Sequence, residues 1–325
     1  MSDPLVVAVV GPTAAGKSDL AVALSKHLGG EVVNADAMQV YRGMDIGTAK
    51  ISTAERDGVP HHLLDILDVT ETATVAEFQQ LARAAIDDCI DRERTPVLAG
   101  GSALYIRAIL DDFVFPGTDP EVRARLEAEL EAHGSGALHA RLQATDPKAA
   151  EQILPSNGRR IVRALEVVEI TGGPYVATLP EHRYVYPGAI QLGLDVPRPE
   201  LDARIDLRVD RMFDAGFVAE VRGLLDKGLI EGKTANRALG YSQVIALLNG
   251  EIDEKQARER TAQATRRFAR RQDSWFRKDQ RISWLQYDDP DLVEKALRVL
   301  RRTELAQGNR RGTGGVVGVE TNARG

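Results

Sequence analysis

The chain has 325 residues, with 43% hydrophobic and 28% charged side chains and a formal net charge of −6. That length accommodates about two domains and a sizeable core. No stretch approaches the run of about 20 apolar residues that spans a bilayer. Met1-Ser2-Asp3-Pro4 lacks the basic start of a secretory signal, so a cytoplasmic protein without a membrane segment is expected. Cys89 is the single cysteine, which excludes a disulfide framework, and the six histidines show no metal-ligand spacing. Between Gln256 and Arg281 nine basic residues face three acidic ones. A basic segment on an acidic chain points to an anionic partner at one face.

The alternation of elements starts at once. Leu5–Val10 is a continuous apolar run stopped by Gly11-Pro12, as a buried strand requires. Lys17–Leu28 follows as a helix, Glu31–Asn34 as a second strand and His62–Leu67 as a third. Phe78, Leu81, Ala82, Ala85, Ile86 and Cys89 form a helical stripe, which gives Cys89 a packing role. Pro96–Ala99 is a strand cut off by Gly100-Gly101. This order predicts an α/β fold, a parallel sheet with helices on both faces, and a G-x-x-x-x-G-K-[ST] match at residues 11–18 makes it P-loop NTPase-like. After Pro116 the chain turns helix-rich, with breaks at Gly134-Ser135-Gly136 and Gly172-Gly173-Pro174, and Ala189–Val196 returns to strand character. Residues 1–116 and 188–302 are therefore expected to form the core, 117–187 an inserted all-helical subdomain, and 303–325 a disordered tail.

Gly11-Pro12-Thr13-Ala14-Ala15-Gly16-Lys17-Ser18 matches G-x-x-x-x-G-K-[ST] between a predicted strand and helix. Glycines let backbone N–H groups point inward at a phosphate chain, the helix N-terminus adds partial positive charge, Lys17 neutralises oxygens and Ser18 can ligate Mg²⁺. The motif does not say which molecule carries the phosphates. A kinase or NTPase would need an acidic residue ending the Pro96–Ala99 strand, where Gly100-Gly101-Ser102 stands instead, and no Asn-Lys-x-Asp guanine reader occurs. Asp36, just past the second strand, lies at the carboxyl edge where open parallel sheets bind ligands. It reads equally as an acid/base group or metal ligand and as an Asx turn.

The runs GPTAAGKS (11–18), NADAMQVYRGMDIGTAK (34–50), LAGGSALYIRAIL (98–110), DPEVRARLE (119–127), RRIVRALEV (159–167), FVAEVRGL (217–224), RALGYSQ (237–243) and TRRFARRQDSWFR (265–277) occur in that order. Together they resemble the tRNA dimethylallyltransferase (tRNA isopentenyltransferase) family, in its bacterial form, from residue 5 to about 285. The resemblance implies transfer of the dimethylallyl group of dimethylallyl diphosphate to N6 of the adenine 3′ of the anticodon, with Mg²⁺ as cofactor, the tRNA anticodon stem-loop as partner and no obligate protein partner. It implies that Gly11–Ser18 cradles the diphosphate, with Thr13 and Arg222 acting on it and Ser18 holding the metal. Asp36 matches the family's base. Asp36, Ala37, Met38, Gln39, Ser102, Arg123, Arg159, Arg160 and Arg163 match positions that meet tRNA. From the residues alone Arg222 looks like solvated helix surface, and Arg163 like a partner for Glu166. Arg266, Arg267, Arg270 and Arg271 interleave with Phe268, Trp275 and Phe276, which fits either RNA stacking or a core. Ala15, Ala37, Ser102 and Arg159 depart from the common Ser, Ser, Thr and Gln. An enzyme acting on free AMP, ADP or ATP, a P-loop kinase and an RNA-binding module are the alternatives.

Overall fold

The structure is a computed structural model and describes residues 3–175 and 181–312. The chain divides into two compact units, residues 1–111 with 183–325 and residues 112–182.

The larger unit is built on a six-stranded parallel sheet. Its strands are β1 (Val6–Val10), β2 (Glu31–Asn34), β3 (His61–His62), β4 (Pro96–Gly100), β5 (Ala189–Asp195) and β6 (Ile282–Gln286), in the spatial order β3-β2-β4-β1-β5-β6. β1 is the centre, with Val7 paired to Val97 on one side and Ile190 on the other. All five β1 residues are fully buried. Val6, Ala8 and Val10 face one core and Val7 and Val9 the other, so both faces are covered and the strand shows no polar alternation.

On the first face lie α2 (Val75–Asp91), α3 (Ala103–Leu110), α7 (Arg198–Asp214), α8 (Phe217–Leu225), α9 (Tyr241–Leu248) and α10 (Glu254–Phe276). On the second lie α1 (Lys17–Leu28) and α11 (Leu292–Gly312). The expected α2 stripe is buried at Phe78, Ala82, Ile86 and Cys89, whereas Leu81 is 45% exposed. Thr74 caps this helix by accepting from the Glu77 N–H. The 112–182 unit comprises α4 (Pro120–Thr145), α5 (Pro147–Gln152) and α6 (Gly158–Thr171), packed around Leu126, Leu142, Ile161 and Leu165. The break expected near Gly134 is a kink inside α4, where Gly134 alone leaves helical geometry.

Three elements differ from the sequence reading. β3 is two residues long rather than His62–Leu67, because Leu63 and Asp65 take positive φ of 62° and 56° and turn the chain out of the ladder. β6 was not foreseen; it is a short edge strand of mixed polarity, paired only to β5. α11 runs to Gly312, so residues 303–312 of the expected disordered tail continue a helix, consistent with the helix formers Glu304, Leu305, Ala306 and Gln307. The rest of that expected tail lies outside the described residues.

An ion network ties β2, β3 and α2 together. Both oxygens of Glu31 accept from Arg92, at 2.7 and 2.9 Å, and Oε2 also lies 2.6 Å from His62 Nε2. Ligand-capable atoms of Glu31, His62 and Cys89 lie within 4.8 Å of one another. The guanidinium already seated on Glu31 makes this an ion-pair cluster; burial pushes the Cys89 thiol up to about 11, so it stays protonated. Hydrogen bonds from Arg92 hold the Glu31 carboxyl down at about 2. The unfolded chain thus binds more protons than the native one at acid pH, and the stability from this group is present above about 4.5 and disappears as pH falls to about 2. Glu31→Gln should therefore be less stable than the parent at pH 7, with the gap between their urea midpoints narrowing from pH 4.5 to pH 2. A gap independent of pH would refute the assignment.

Candidate functional site

The carboxyl ends of β1, β2 and β4 deliver the Gly11–Ser18 loop, Asp36 and Gly100–Ser102 to one edge of the sheet. Gly11 (φ 140°) and Gly16 (φ 99°) bend the loop, and Ala14 takes a positive φ of 64° that an L-residue adopts only under constraint. Two contacts supply that constraint. Arg204 Nε donates to the Ala14 carbonyl at 2.8 Å, and the Thr13 N–H donates to Gln272 Oε1 at 2.9 Å. Gln272 in turn donates to the Gly101 carbonyl at 2.8 Å, joining the loops after β1 and β4 through α10.

Two cavities open at this edge. The first, about 460 Å³, is polar and is lined by Lys17, Ser18, Asp36, Arg204, Arg208 and Arg211 among others. The second, about 320 Å³, has apolar walls from Met38, Ile205, Val209, Met212, Leu239 and Phe268. Thr13, Asp36, Thr48 and Arg208 line both, so the cavities meet at these four residues.

The electrostatics of the junction are unbalanced. Lys17 Nζ donates to the Pro12 carbonyl at 2.7 Å, and Arg208 Nη2 to the Thr48 carbonyl at 3.3 Å. Desolvation lowers Lys17 to about 8, opposed by the charge of Asp36 and reinforced by that of Arg208. Desolvation lowers Arg208 too, and Asp36 again opposes it. Two half-buried cations thus share one carboxylate, and an incoming anion would relieve the excess. Asp36 Oδ1 accepts the Met38 N–H at 2.9 Å, and the Asp36 N–H donates to Asn34 Oδ1 at 3.0 Å. The Asx turn is therefore real, and it is compatible with acid/base work. Among the described residues no hydrogen bond reaches Oδ2.

Of the residues expected to contact ligand, Thr13, Ala14, Gly16, Lys17, Ser18, Asp36, Ala37, Met38, Gln39 and Ser102 line one cavity or the other, whereas Gly11, Pro12 and Ala15 are buried within the loop. Arg222 requires correction. It is exposed on α8 and lines neither cavity, because α8 turns Val221 and Leu224 into the core and Arg222 away from it. Arg208, which the sequence reading did not single out, lines both cavities instead. The available signal was the i, i+4, i+7 spacing of Arg204, Arg208 and Arg211, one face of α7.

The four arginines of the 112–182 unit that the resemblance points to, Arg123, Arg159, Arg160 and Arg163, divide in two. Arg123 and Arg163 (Nη1, 2.7 Å) both donate to the fully buried Glu166, and Arg163 Nη2 also donates to the Pro116 carbonyl at 2.6 Å. Burial pushes the Glu166 carboxyl up, and the two guanidiniums more than reverse it. Arg159 and Arg160 are exposed. In the 256–281 segment, Arg266 of α10 pairs with Asp206, and beyond the helix Arg277 pairs with Asp195 and Arg281 with Asp111 and Asp279, so much of the basic segment is neutralised internally. Phe276 is core, Phe268 lines the apolar cavity and Trp275 is 45% exposed.

The IPP transferase family model matches residues 39–279. A tRNA dimethylallyltransferase of Nocardioides sp. is 63% identical over 298 residues, covering 92% of this chain and 96% of that protein. Its counterpart in Thermobifida fusca is 62% identical over 300 residues, covering 91% and 94%. The full-length tRNA isopentenylpyrophosphate transferase of Bacillus halodurans superposes with a TM-score of 0.70 at 38% identity, over 95% of this chain and 99% of that one. A eukaryotic dimethylallyltransferase acting on tRNA gives a TM-score of 0.79 at 25% identity, over 94% and 80%.

Two comparisons test the arginine assignments. Calorimetry with an alkyl diphosphate should show Arg208→Ala weakening binding by at least about tenfold, the scale of one charge-assisted hydrogen bond, and Arg222→Ala changing it by less than about twofold. Equal losses would restore Arg222 to the site. Arg163→Ala should lower thermal stability by about 1–3 kcal/mol through the Glu166 network. Arg159→Ala should leave stability alone and reduce the salt dependence of anticodon stem-loop binding by about 0.7 in log–log slope. The reverse pattern would make Arg163 the phosphate contact.

Proposed function

We propose that this chain, which belongs to the IPP transferase family, is a tRNA dimethylallyltransferase that prenylates N6 of the adenosine beside the anticodon, at tRNA position 37. The observation that carries this reading is the meeting of a cationic cavity and an apolar cavity at Asp36. The Gly11–Ser18 loop, Lys17 and Arg208 bind the diphosphate of dimethylallyl diphosphate. The apolar walls take the allyl group and the flipped adenine and keep water from the reacting carbon.

The reaction forms a bond from N6 to C1 of the dimethylallyl group as the C1–O bond to diphosphate breaks. The leaving diphosphate gathers charge, which Lys17 and Arg208 stabilise more in the transition state than in the ground state. Adenine N6 is weakly nucleophilic because its lone pair is delocalised; its proton becomes acidic only as the new bond forms. Asp36 accepts that proton through Oδ2 while Oδ1 stays anchored on the Met38 N–H. Thr13 lines both cavities, and its hydroxyl acts on the diphosphate in this reading.

Mg²⁺ fits the donor set. Ser18 and Asp36 offer hard oxygens to the polar cavity, and Mg²⁺ takes one or two protein oxygens, phosphate oxygens and water. When bound it would neutralise diphosphate charge, with Ser18 as the protein ligand.

tRNA is favoured over a free nucleotide by the 112–182 unit, whose α6 presents Arg159 and Arg160 to solvent. A kinase reading lacks support, since β4 ends in Gly100 and is followed by Gly101 and Ser102 with no carboxylate. Among the described residues no helix is long and apolar enough to cross a membrane, and we place the enzyme in the cytoplasm with its tRNA.

Mass spectrometry of adenosines from unmodified tRNA incubated with the protein, dimethylallyl diphosphate and Mg²⁺, without ATP, should show N6-(dimethylallyl)adenosine. Product on AMP alone would transfer the reading to the free-nucleotide class. Asp36→Ala should slow single-turnover transfer by about 10²–10⁴-fold with stem-loop affinity near normal. An unchanged rate would remove Asp36 as the base.

A further inference from the structure

The FVAEVRGL run holds a second acidic–basic pair of interest, Glu220 and Arg222. The structure leaves Arg222 at the surface and turns Glu220 toward the loop that follows Asp36. Its Oε2 accepts the N–H groups of Asp45 at 3.0 Å and Ile46 at 2.6 Å; its Oε1 accepts the N–H of Gly47 at 3.1 Å and the Tyr241 hydroxyl at 2.7 Å. Three consecutive backbone N–H groups converging on one anion form a nest, here filled by a side chain of the same molecule from 173 to 175 positions away.

The loop is pressed closely against its support. A Cβ at Gly47 would lie 2.3 Å from the Phe217 ring and 2.5 Å from Tyr241, so only glycine allows this approach. Phe217 and Tyr241 meet edge to face at 5.0 Å. Burial, then the Glu220 anion, raises the Tyr241 phenol well above its ordinary value, so it remains a donor.

What the loop carries lies one residue further on. The Thr48 carbonyl accepts from Arg208 Nη2 at 3.3 Å and from Gln39 Nε2 at 3.2 Å, and Thr48 lines both cavities. The Thr48 hydroxyl donates back to the Met44 carbonyl at 2.6 Å, closing the turn. We propose that Glu220 is a positioning residue for the transfer reaction: by gathering the N–H groups of residues 45–47 it fixes the Thr48 carbonyl, which in turn aims the Arg208 guanidinium at the diphosphate. Glu220 touches no reacting atom, and it acts only through the loop. The inference rests on the transferase reading for its kinetic consequence, whereas the anchoring itself does not.

A carboxylate is needed because it accepts four hydrogen bonds with no donor of its own. A glutamine in its place would turn an NH₂ group toward N–H or O–H donors. The test uses the full chain with tRNA, Mg²⁺ and dimethylallyl diphosphate. Glu220→Gln, assayed well below its melting temperature, should lower kcat/KM for dimethylallyl diphosphate by about tenfold or more, the scale of one misplaced charge-assisted contact, while KM for tRNA changes by less than about twofold. Tyr241→Phe deletes one donor and keeps the ring and the three loop N–H groups; its kcat/KM should stay within about threefold of the parent, which separates loop anchoring from damage to the packing beneath. In parallel, amide hydrogen exchange at residues 45–47 should accelerate in Glu220→Gln and not in Tyr241→Phe.

A folded Glu220→Gln protein with parental kcat/KM, or with residues 45–47 as protected as in the parent, overturns the proposal. Should that variant fail to fold, Glu220→Asp serves: its shorter arm keeps the charge and should give an intermediate loss in kcat/KM, and parental kinetics would overturn the proposal. If the parent itself modifies no tRNA, the transferase reading falls, and amide exchange, which needs no ligand, still decides whether Glu220 anchors the loop.

Discussion

Everything at the candidate site follows from enclosing more positive than negative charge where water is scarce. Lys17 in the polar cavity and Arg208 where the two cavities meet both lose solvation, and Asp36 offsets only part of the cost. The surrounding frame holds these groups in place: strand β1 is wholly buried between two cores, and the phosphate loop is held from outside by Arg204 and Gln272. The fold thus maintains an unfavourable charge distribution that a diphosphate would complete.

The same economy explains how arginine is used elsewhere in the chain. Guanidiniums there close against carboxylates, within a helix or across elements: Arg266 of α10 on Asp206 of α7, Arg281 before β6 on Asp111 after α3, and Arg123 of α4 and Arg163 of α6 on Glu166 of α6. These hold elements together. Arg208 differs in having a backbone carbonyl as its hydrogen-bond partner, which leaves its charge available to a ligand. Counting basic residues along a segment therefore says little about an RNA surface until their partners are known.

How far the sequence disclosed this depends on the distance between cooperating residues. The phosphate loop is local: strand, turn and helix lie within residues 6–28, and α1 and β2 have the very limits that their patterns predict. The place of Asp36 at the carboxyl edge of the sheet was legible because it comes two residues after β2, whereas its role as a base came only from the resemblance. Arg208 was not legible, because what distinguishes it from any helical arginine is Thr48 and Asp36, some 160 residues away and brought near by sheet order alone. The family resemblance pointed to Arg222 in the FVAEVRGL run, and that arginine lies on the exposed side of α8, outside both cavities. Helical phase decides that: Val221 and Leu224 face the core, which leaves Arg222 outward. The third strand was expected at His62–Leu67 and is confined to His61–His62 by the turn at Leu63 and Asp65, and β6 was missed because its mixed polarity offers no apolar run.

The order of the sheet also bears on how the chain reaches this state. β1, made first, is flanked in the finished protein by β4 and β5, and β5 emerges only after the whole of the 112–182 unit has been made. During synthesis one edge of the most hydrophobic strand waits for its neighbour while the intervening unit, with its own core around Leu126 and Leu165, is already complete. Parallel pairing across such a span closes a long loop before any contact rewards it, and is correspondingly slow. The waiting edge of β1 is thus the place where the nascent chain is most open to wrong pairing and most in need of shielding.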